Sequence, residues 1–292
     1  MSPGWRSSAR SPTGSCGHTV TRALLDAGHR AIGLCNVAIG FQRSFAALLG
    51  VDPAQVMLDH VGLNHLTWER AAVVDGADVL PDLIAKHGDE VAGHTGLPVS
   101  VLQETGAVPS SYLHYFWAHD ATVERLRHQP TRAEEVARLE KELLAVYADP
   151  ALTHKPEMLS QRGGAFYSEA AVALLASLTT GAGDVQVVNL RNRGTLPFLD
   201  DDAVIEVPAV IGAAGAQPVP VAPLHPTMRG LVAHVSAYEE LAVDAALRGG
   251  RGRVASALLA HPLVGQYDLA GRLTDRLIAE NAAYLPWASG DS

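Results

Sequence analysis

Cysteine is nearly absent: Cys16 and Cys35 are the only two in 292 residues. Two thiols cannot form a disulfide framework, so a reducing cytoplasm is the default setting. No apolar run is long enough to span a bilayer. No GxGxxG, Walker or GxSxG sequence occurs, so the usual dinucleotide loop, phosphate loop and hydrolase serine elbow lack support. A metal hydrolase working without a redox cofactor has little support either, because there is no HExxH and no carboxylate-rich ligand cluster. Basic charge is also short. The net charge of -9 and pI near 5.8 argue against nucleic acid or an anionic membrane as partner, while leaving room for a local basic pocket for one phosphate. What is present is a globular composition, 48% apolar and 18% charged, on a chain long enough for a large core in one or two domains. The start carries Arg6, Arg10, several serines and no acid. That is transit-peptide-like in composition but lacks the apolar centre of a secretory signal. The expectation is a disordered or misassigned segment.

The pattern along the chain mixes helices and strands without regular βαβ alternation, which favours α+β. Thr19 to Ala27 has helical spacing, with Val20, Leu24 and Leu25 on one side and Gly28 to end it. His29 to Asn36 reads as a strand, with Cys35 at its end. Gly40 to Gly50 is a short helix, and Asp52-Pro53 restarts the chain as an N-cap followed by proline. Val56 to Leu66 alternates as a strand, and Val79 to His87 is a short helix. Thr131 to Tyr147 is the clearest helix: Thr131 and Glu134 make a capping box, and Val136, Leu139, Leu143 and Val146 form its apolar stripe. Arg162-Gly163-Gly164-Ala165 is a glycine turn, too short for a dinucleotide loop. Ser168 to Thr179 reads as a buried helix. Gln186 to Leu190 and Ala203 to Val207 are strands either side of a turn at Asn192-Arg193-Gly194. Gly212 to Pro226 reads as a loop, and Met228 to Trp287 is mainly helical.

Few residues could carry chemistry. Cys35 and His65 each lie near the end of an expected strand. A thiolate and an imidazole suit a first-row divalent metal, and two ligands leave positions open for substrate oxygens. Spacing alone leaves the alternative open that both simply pack in the core. Tyr112 and Tyr115, three apart, usually mean packing. A tyrosine base needs its pKa brought down by a nearby cation or metal. Arg132, at the start of the capped helix, could bind a phosphate or be a solvated helix end.

GLCNVAIG, GLNHL, VPSSYLHY, PTRAEEV, RGGAFYSEAA, VVNLRNRGTLPFL and AVIEVPAVI follow one another in this chain. In that order they resemble the 6-phospho-β-glucosidases of glycoside hydrolase family 4, over roughly Val20 to Ala288. The resemblance implies NAD and a divalent metal, usually manganese, in place of the common carboxylate pair. It implies that Cys35 and His65 hold the metal, that Asn36 bonds sugar hydroxyls and helps hold the metal-bound substrate, that Tyr112 is the base, and that Arg132 binds the 6-phosphate or helps position the sugar. In the implied reaction NAD oxidises C3, Tyr112 takes the acidified C2 proton, the C1 group is eliminated, water adds and the hydride returns. Asn36, where the α-glucosidases typically have Asp after the Cys, points to a β-linked phosphorylated glucoside. His114 and Phe116 depart from the family's YLRYY pattern without touching Tyr112. The implied fold is α+β, a lactate/malate dehydrogenase-like C-terminal domain over residues 37–288. Residues 19–36 would be the last helix and strand of a dinucleotide-binding domain, and residues 1–18 are unmatched. The glycine-rich loop and the Asn-Pro segment expected before that helix are not found. The expectation is therefore a truncated chain, inactive or nearly so alone. The alternative is a non-catalytic homologue that binds sugar phosphate or pairs with an intact relative. The family further implies a homo-oligomer, a dimer or tetramer, in the cytoplasm.

Overall fold

The structure is a computed structural model that describes residues 16–162 and 166–288. Its elements, in order, are α1 (Cys16–Asp26), α2 (Val37–Leu49), β1 (Met57–Leu63), β2 (Leu66–Val74), β3 (Ala77–Asp78), α3 (Leu80–Thr95), α4 (Val99–Thr105), β4 (Val108–Pro109), α5 (His114–Trp117), α6 (His119–Arg127), α7 (Arg132–Tyr147), α8 (Tyr167–Thr180), β5 (Asp184–Arg191), β6 (Val204–Gly212), β7 (Gly215–Pro218), α9 (Pro226–Arg248), α10 (Arg251–Ala260) and α11 (Tyr267–Asn281).

The strands form one sheet in the order β3-β2-β1-β6-β5, with β4 added to β2 and β7 to β6. Every pairing is antiparallel. The α+β expectation therefore holds. One row across the sheet matters later: Gly62 of β1 is opposite Glu206 of β6, and Glu206 is opposite Asn189 of β5. Two residues before Gly62 on β1, His60 faces Glu69 of β2.

Two apolar clusters hold this frame. The first packs sheet residues such as Val61, Leu63, Trp68, Val188 and Ile205 against Met228 and Val232 of α9. The second packs Phe41 and Phe45 of α2 with Leu80, Leu83 and Leu102 of α3 and α4, below Val56, Ala72 and Val108. Each fully buried Leu, Val or Phe side chain stabilises the fold by roughly 1.5–3 kcal/mol relative to exposure. No helix among the described residues is long and apolar enough to cross a membrane.

Several expectations are corrected. His29 to Asn36 forms no strand beyond a single bridge, Gly33 to Asn189. Val56 to Leu66 is not one strand: the chain reverses at Asn64-His65 and continues as β2. The short helix expected to end at His87 runs on to Thr95, with non-helical dihedrals at His87 marking a kink. α2 begins at Val37 rather than Gly40. The loop expected over Gly212 to Pro226 contains β7, which folds back on β6 as a hairpin. In α1 the side turned inward is His18 and Thr21, and Val20 is 53% exposed. α8 buries only Leu174 and Ser177, while Val172 and Leu175 of the same apolar helix are 66% and 61% exposed. The expected disorder of residues 1–18 lies mostly outside the described residues, and its last part, Cys16 to His18, starts α1. The turn at Gly163 to Ala165 also lies outside the described residues.

Candidate functional site

Cys35 is placed by its main chain. Gly33 and Asn189 exchange both backbone hydrogen bonds, each at 2.9 Å. This is possible because a Cβ on Gly33 would strike the Thr21 hydroxyl and the Asn189 side chain. Two residues later Cys35 is buried at the start of α2, where the Val37 N–H donates to its Sγ at 3.5 Å. Asn36 is the N-cap of α2, and its side chain makes no capping bond. Burial first, then the Glu206 charge, push the Cys35 thiol far above its ordinary pKa; the N–H groups of Val37 and His65 pull the other way. Cys35 is therefore a thiol here, lying against Glu206 and the backbone of His65.

His65 sits in the reversal between β1 and β2 at φ 67°. Left-handed backbone costs a non-glycine residue about 1–2 kcal/mol, and such residues persist when their surroundings fix them. The Ser110 hydroxyl donates to the His65 carbonyl. The His65 ring stacks on Tyr112, with centroids 4.2 Å apart and planes 5° from parallel. Gly62 is required just before: it adopts φ 150°, and a Cβ there would overlap the Leu66 carbonyl. Tyr112 lies in the single turn Ser111–Leu113. Burial raises its pKa, Cys35 and Tyr115 raise it further, and Arg132 lowers it. Tyr112 is thus held as a phenol, with Arg132 the smallest of these influences and the one that opposes the rise.

Arg132 stands at the outer edge of this group, as the first residue of α7. Its guanidinium donates to Glu135 at 3.2 Å and to the Gln161 carbonyl at 2.9 Å. The structure thus gathers Cys35, His65 and Tyr112 and leaves Arg132 at the rim. Next to His65 and Tyr112 opens a cavity of about 500 Å³, whose far walls are Val20 and Ala23 of α1 and Val235 and Tyr238 of α9. Tyr167, the first residue of α8, also belongs to the neighbourhood. Burial, Cys35, Glu206 and Tyr112 together push its pKa up to about 12. The start of α8 is tied to α2 by an Arg43–Glu169 ion pair, with the Arg43 guanidinium 4.4 Å from the Phe166 ring centre.

Beneath the site lies a polar web that the sequence reading missed. His60, Glu69, Glu206 and Asn189 are all 0% exposed. His60 Nδ1 is 2.7 Å from Glu69 and its Nε2 is 3.0 Å from Glu206. Burial alone would favour the neutral ring, but the Glu69 charge and the bonds to both carboxylates outweigh it, and the His60 pKa is pushed up to about 10. Glu206 is the carboxylate held ionised: burial opposes this, but the His60 imidazolium and the amides of Asn64 and Asn189 lower its pKa. Glu69, with His60 as its one compensating charge, is raised by burial. The signal available in the sequence was one acid inside an apolar strand, AVIEVPAVI.

Among the described residues no three His, Cys, Asp or Glu side chains gather as a metal cluster. The donors at the site are one thiol and one imidazole, a set that suits a divalent first-row metal with further positions left to a substrate.

The model of the family 4 glycosyl hydrolase C-terminal domain matches residues 60–264. The chain belongs to glycoside hydrolase family 4. It is 34% identical to a probable 6-phospho-β-glucosidase of Bacillus subtilis, over 91% of this chain and 63% of that protein. It is 29% identical to the 6-phospho-β-glucosidase BglT of Thermotoga maritima, over 87% of this chain and 61% of that one. The chain thus spans about three-fifths of the curated relatives it matches. The crystal structure of a Thermotoga maritima 6-phospho-β-glucosidase with NAD and glucose 6-phosphate superposes with a TM-score of 0.86 at 28% identity, covering 93% of this chain and 65% of that one. A second crystal structure of a Thermotoga maritima 6-phospho-β-glucosidase, with manganese, NAD+ and glucose 6-phosphate, gives 0.85.

Proposed function

We propose that the chain serves the hydrolysis of 6-phospho-β-glucosides. In this reading Cys35 and His65 hold a divalent metal, Tyr112 is the base, Asn36 binds sugar hydroxyls and Arg132 binds the 6-phosphate. The observation that carries the reading is the parallel stack of His65 on Tyr112 beside Cys35, three residues brought together from separate stretches of chain. When bound, the metal supplies polarisation of a sugar carbonyl and NAD accepts and returns a hydride. The rest falls to the protein. Cys35 would hold the metal as a thiolate, giving up the proton that burial and the Glu206 charge otherwise keep on it. His65 would offer a ring nitrogen to the metal, and its ring lies flat against that of Tyr112. Tyr112 takes the C2 proton once positive charge beside it brings its pKa down. Arg132, already acting in that direction, anchors the phosphate at the rim so that C2 reaches the phenol oxygen. Two cysteines and the family likeness support a cytoplasmic homo-oligomer, and the exposed Val172 and Leu175 of α8 support a self-association surface.

A second reading is a sugar-phosphate-binding protein that does not turn over. It is favoured by Tyr112 itself, whose pKa burial raises, so that the phenol stands as a hydrogen-bond donor to a sugar rather than as a base. Calorimetric titration with glucose 6-phosphate and manganese, then with NAD, separates the two. Hydrolysis of an aryl 6-phospho-β-glucoside is followed in parallel. The first reading expects manganese-dependent sugar binding and NAD-dependent hydrolysis, with Tyr112→Phe reducing the rate by roughly 10²–10⁴. Sugar binding without hydrolysis at millimolar NAD would establish the second. No sugar phosphate binding at all would contradict both.

A further inference from the structure

The chain segments that carry the proposed metal ligands are fastened to one buried oxygen. Asn64 Nδ2 donates to Glu206 Oε2 at 2.9 Å, and Asn189 Nδ2 donates to the same oxygen at 2.8 Å. Asn64 immediately precedes His65. Asn189 is bridged through both backbone bonds to Gly33, two residues before Cys35. The Cys35 thiol itself faces the Glu206 carboxylate. The other oxygen, Oε1, is held by His60, which is held in turn by Glu69. A buried ion pair contributes little net stability over apolar residues of the same volume. A triad with two amides turned toward one oxygen is therefore poorly explained as a stabiliser, and both amides belong to segments that lead to the site.

We propose that Glu206 is a positioning residue that fixes the separation of the Cys35 thiol and the His65 imidazole, acting through Asn189 and Asn64. The inference rests on the metal reading of those two residues. Outer partners of metal ligands set affinity by holding the ligands in place, and their loss typically weakens binding 10–100-fold. Glu206→Gln is an informative variant. Its amide oxygen can accept from both asparagines, and its N–H can donate to a neutral His60 whose other nitrogen still donates to Glu69. Position is kept and charge is lost.

The test is titration of the purified chain with Co2+ alone, reading the near-ultraviolet absorption that a thiolate gives on cobalt. Thermal melting is followed in parallel. Asn64→Ala and Asn189→Ala are expected to weaken cobalt binding by roughly 10-fold or more. Glu206→Gln is expected to stay within about threefold of the parent, because the geometry survives. Leu102→Ala, in the second apolar cluster and outside the hydrogen-bonded web, is expected to lower the melting temperature and leave cobalt binding unchanged. Cobalt binding at the parent's strength in both asparagine variants would overturn the proposal. So would equal weakening in Glu206→Gln and Asn64→Ala, which would make charge and not position the cause. Equal weakening in Leu102→Ala would reduce the effect to general stability. A parent chain that shows no thiolate absorption would instead overturn the metal reading beneath it.

Discussion

Two buried regions of this molecule are built from opposite materials. Around Phe45, Leu80, Leu83 and Leu102 the packing is apolar throughout, and an apolar side chain of similar volume and shape could serve there at small cost. Between β1, β2, β5 and β6, a few residues away in the same fold, His60, Glu69, Glu206 and Asn189 are equally buried but bonded to one another. The first region rewards volume. The second rewards direction, because each of its bonds works only along one line. The difference teaches where this fold stores stability and where it stores geometry, and the site sits over the second.

The sharpest way to break the comparison is His60→Ala. It leaves two carboxylates facing each other without the ring between them, and removing one partner of a buried charged set costs roughly 3–5 kcal/mol. Urea unfolding checks it; a cost below about 1 kcal/mol would mean that the web is not held by charge. Leu102→Ala is expected to cost about 2–5 kcal/mol through lost burial and cavity, measured the same way, with no effect on metal binding.

A pH series sharpens the contrast further. The His60 pKa is raised from its ordinary 6.5 to about 10. The folded state therefore binds the proton more tightly, and this contribution is complete below pH 6.5 and is lost as pH rises through about 10. Glu206 is shifted down, so its contribution is present above the ordinary carboxylate value of 4.5 and is lost on acidification. Urea midpoints of the parent and of Leu102→Ala should fall in parallel between pH 6 and pH 9, and those of His60→Gln should fall less. The smallest effect expected is at Thr131, whose side chain caps α7 by accepting from the Glu134 N–H while Glu134 reaches back. Thr131→Ala should cost about 1 kcal/mol, and a melting curve resolves it.

What could be read in the sequence follows the same division. α7 was legible to its first residue because its cap, stripe and length are local. Gly28 and the turn at Gly194 were legible because positive φ selects for glycine. The reversal at Asn64-His65 was not. His65 is a non-glycine residue in left-handed backbone, fixed by Ser110 and Tyr112, more than forty residues on. The expected strand before Cys35 shrank to one bridge because the segment meets its neighbour only where Gly33 lets Asn189 approach. At the site, residue chemistry left packing open for Cys35, His65 and Tyr112; the sequence marked them through its family resemblance, and the fold brings them together. It could not reveal Glu206, because one acid in a strand says nothing about the strands beside it.

The most direct measurement is X-ray absorption at the zinc edge of the zinc-loaded chain. The account predicts one sulfur neighbour at about 2.3 Å and imidazole nitrogen at about 2.0–2.1 Å, with the sulfur shell lost in Cys35→Ser and the imidazole signal lost in His65→Ala. A metal surrounded by oxygen alone, or a sulfur shell that survives Cys35→Ser, would contradict it.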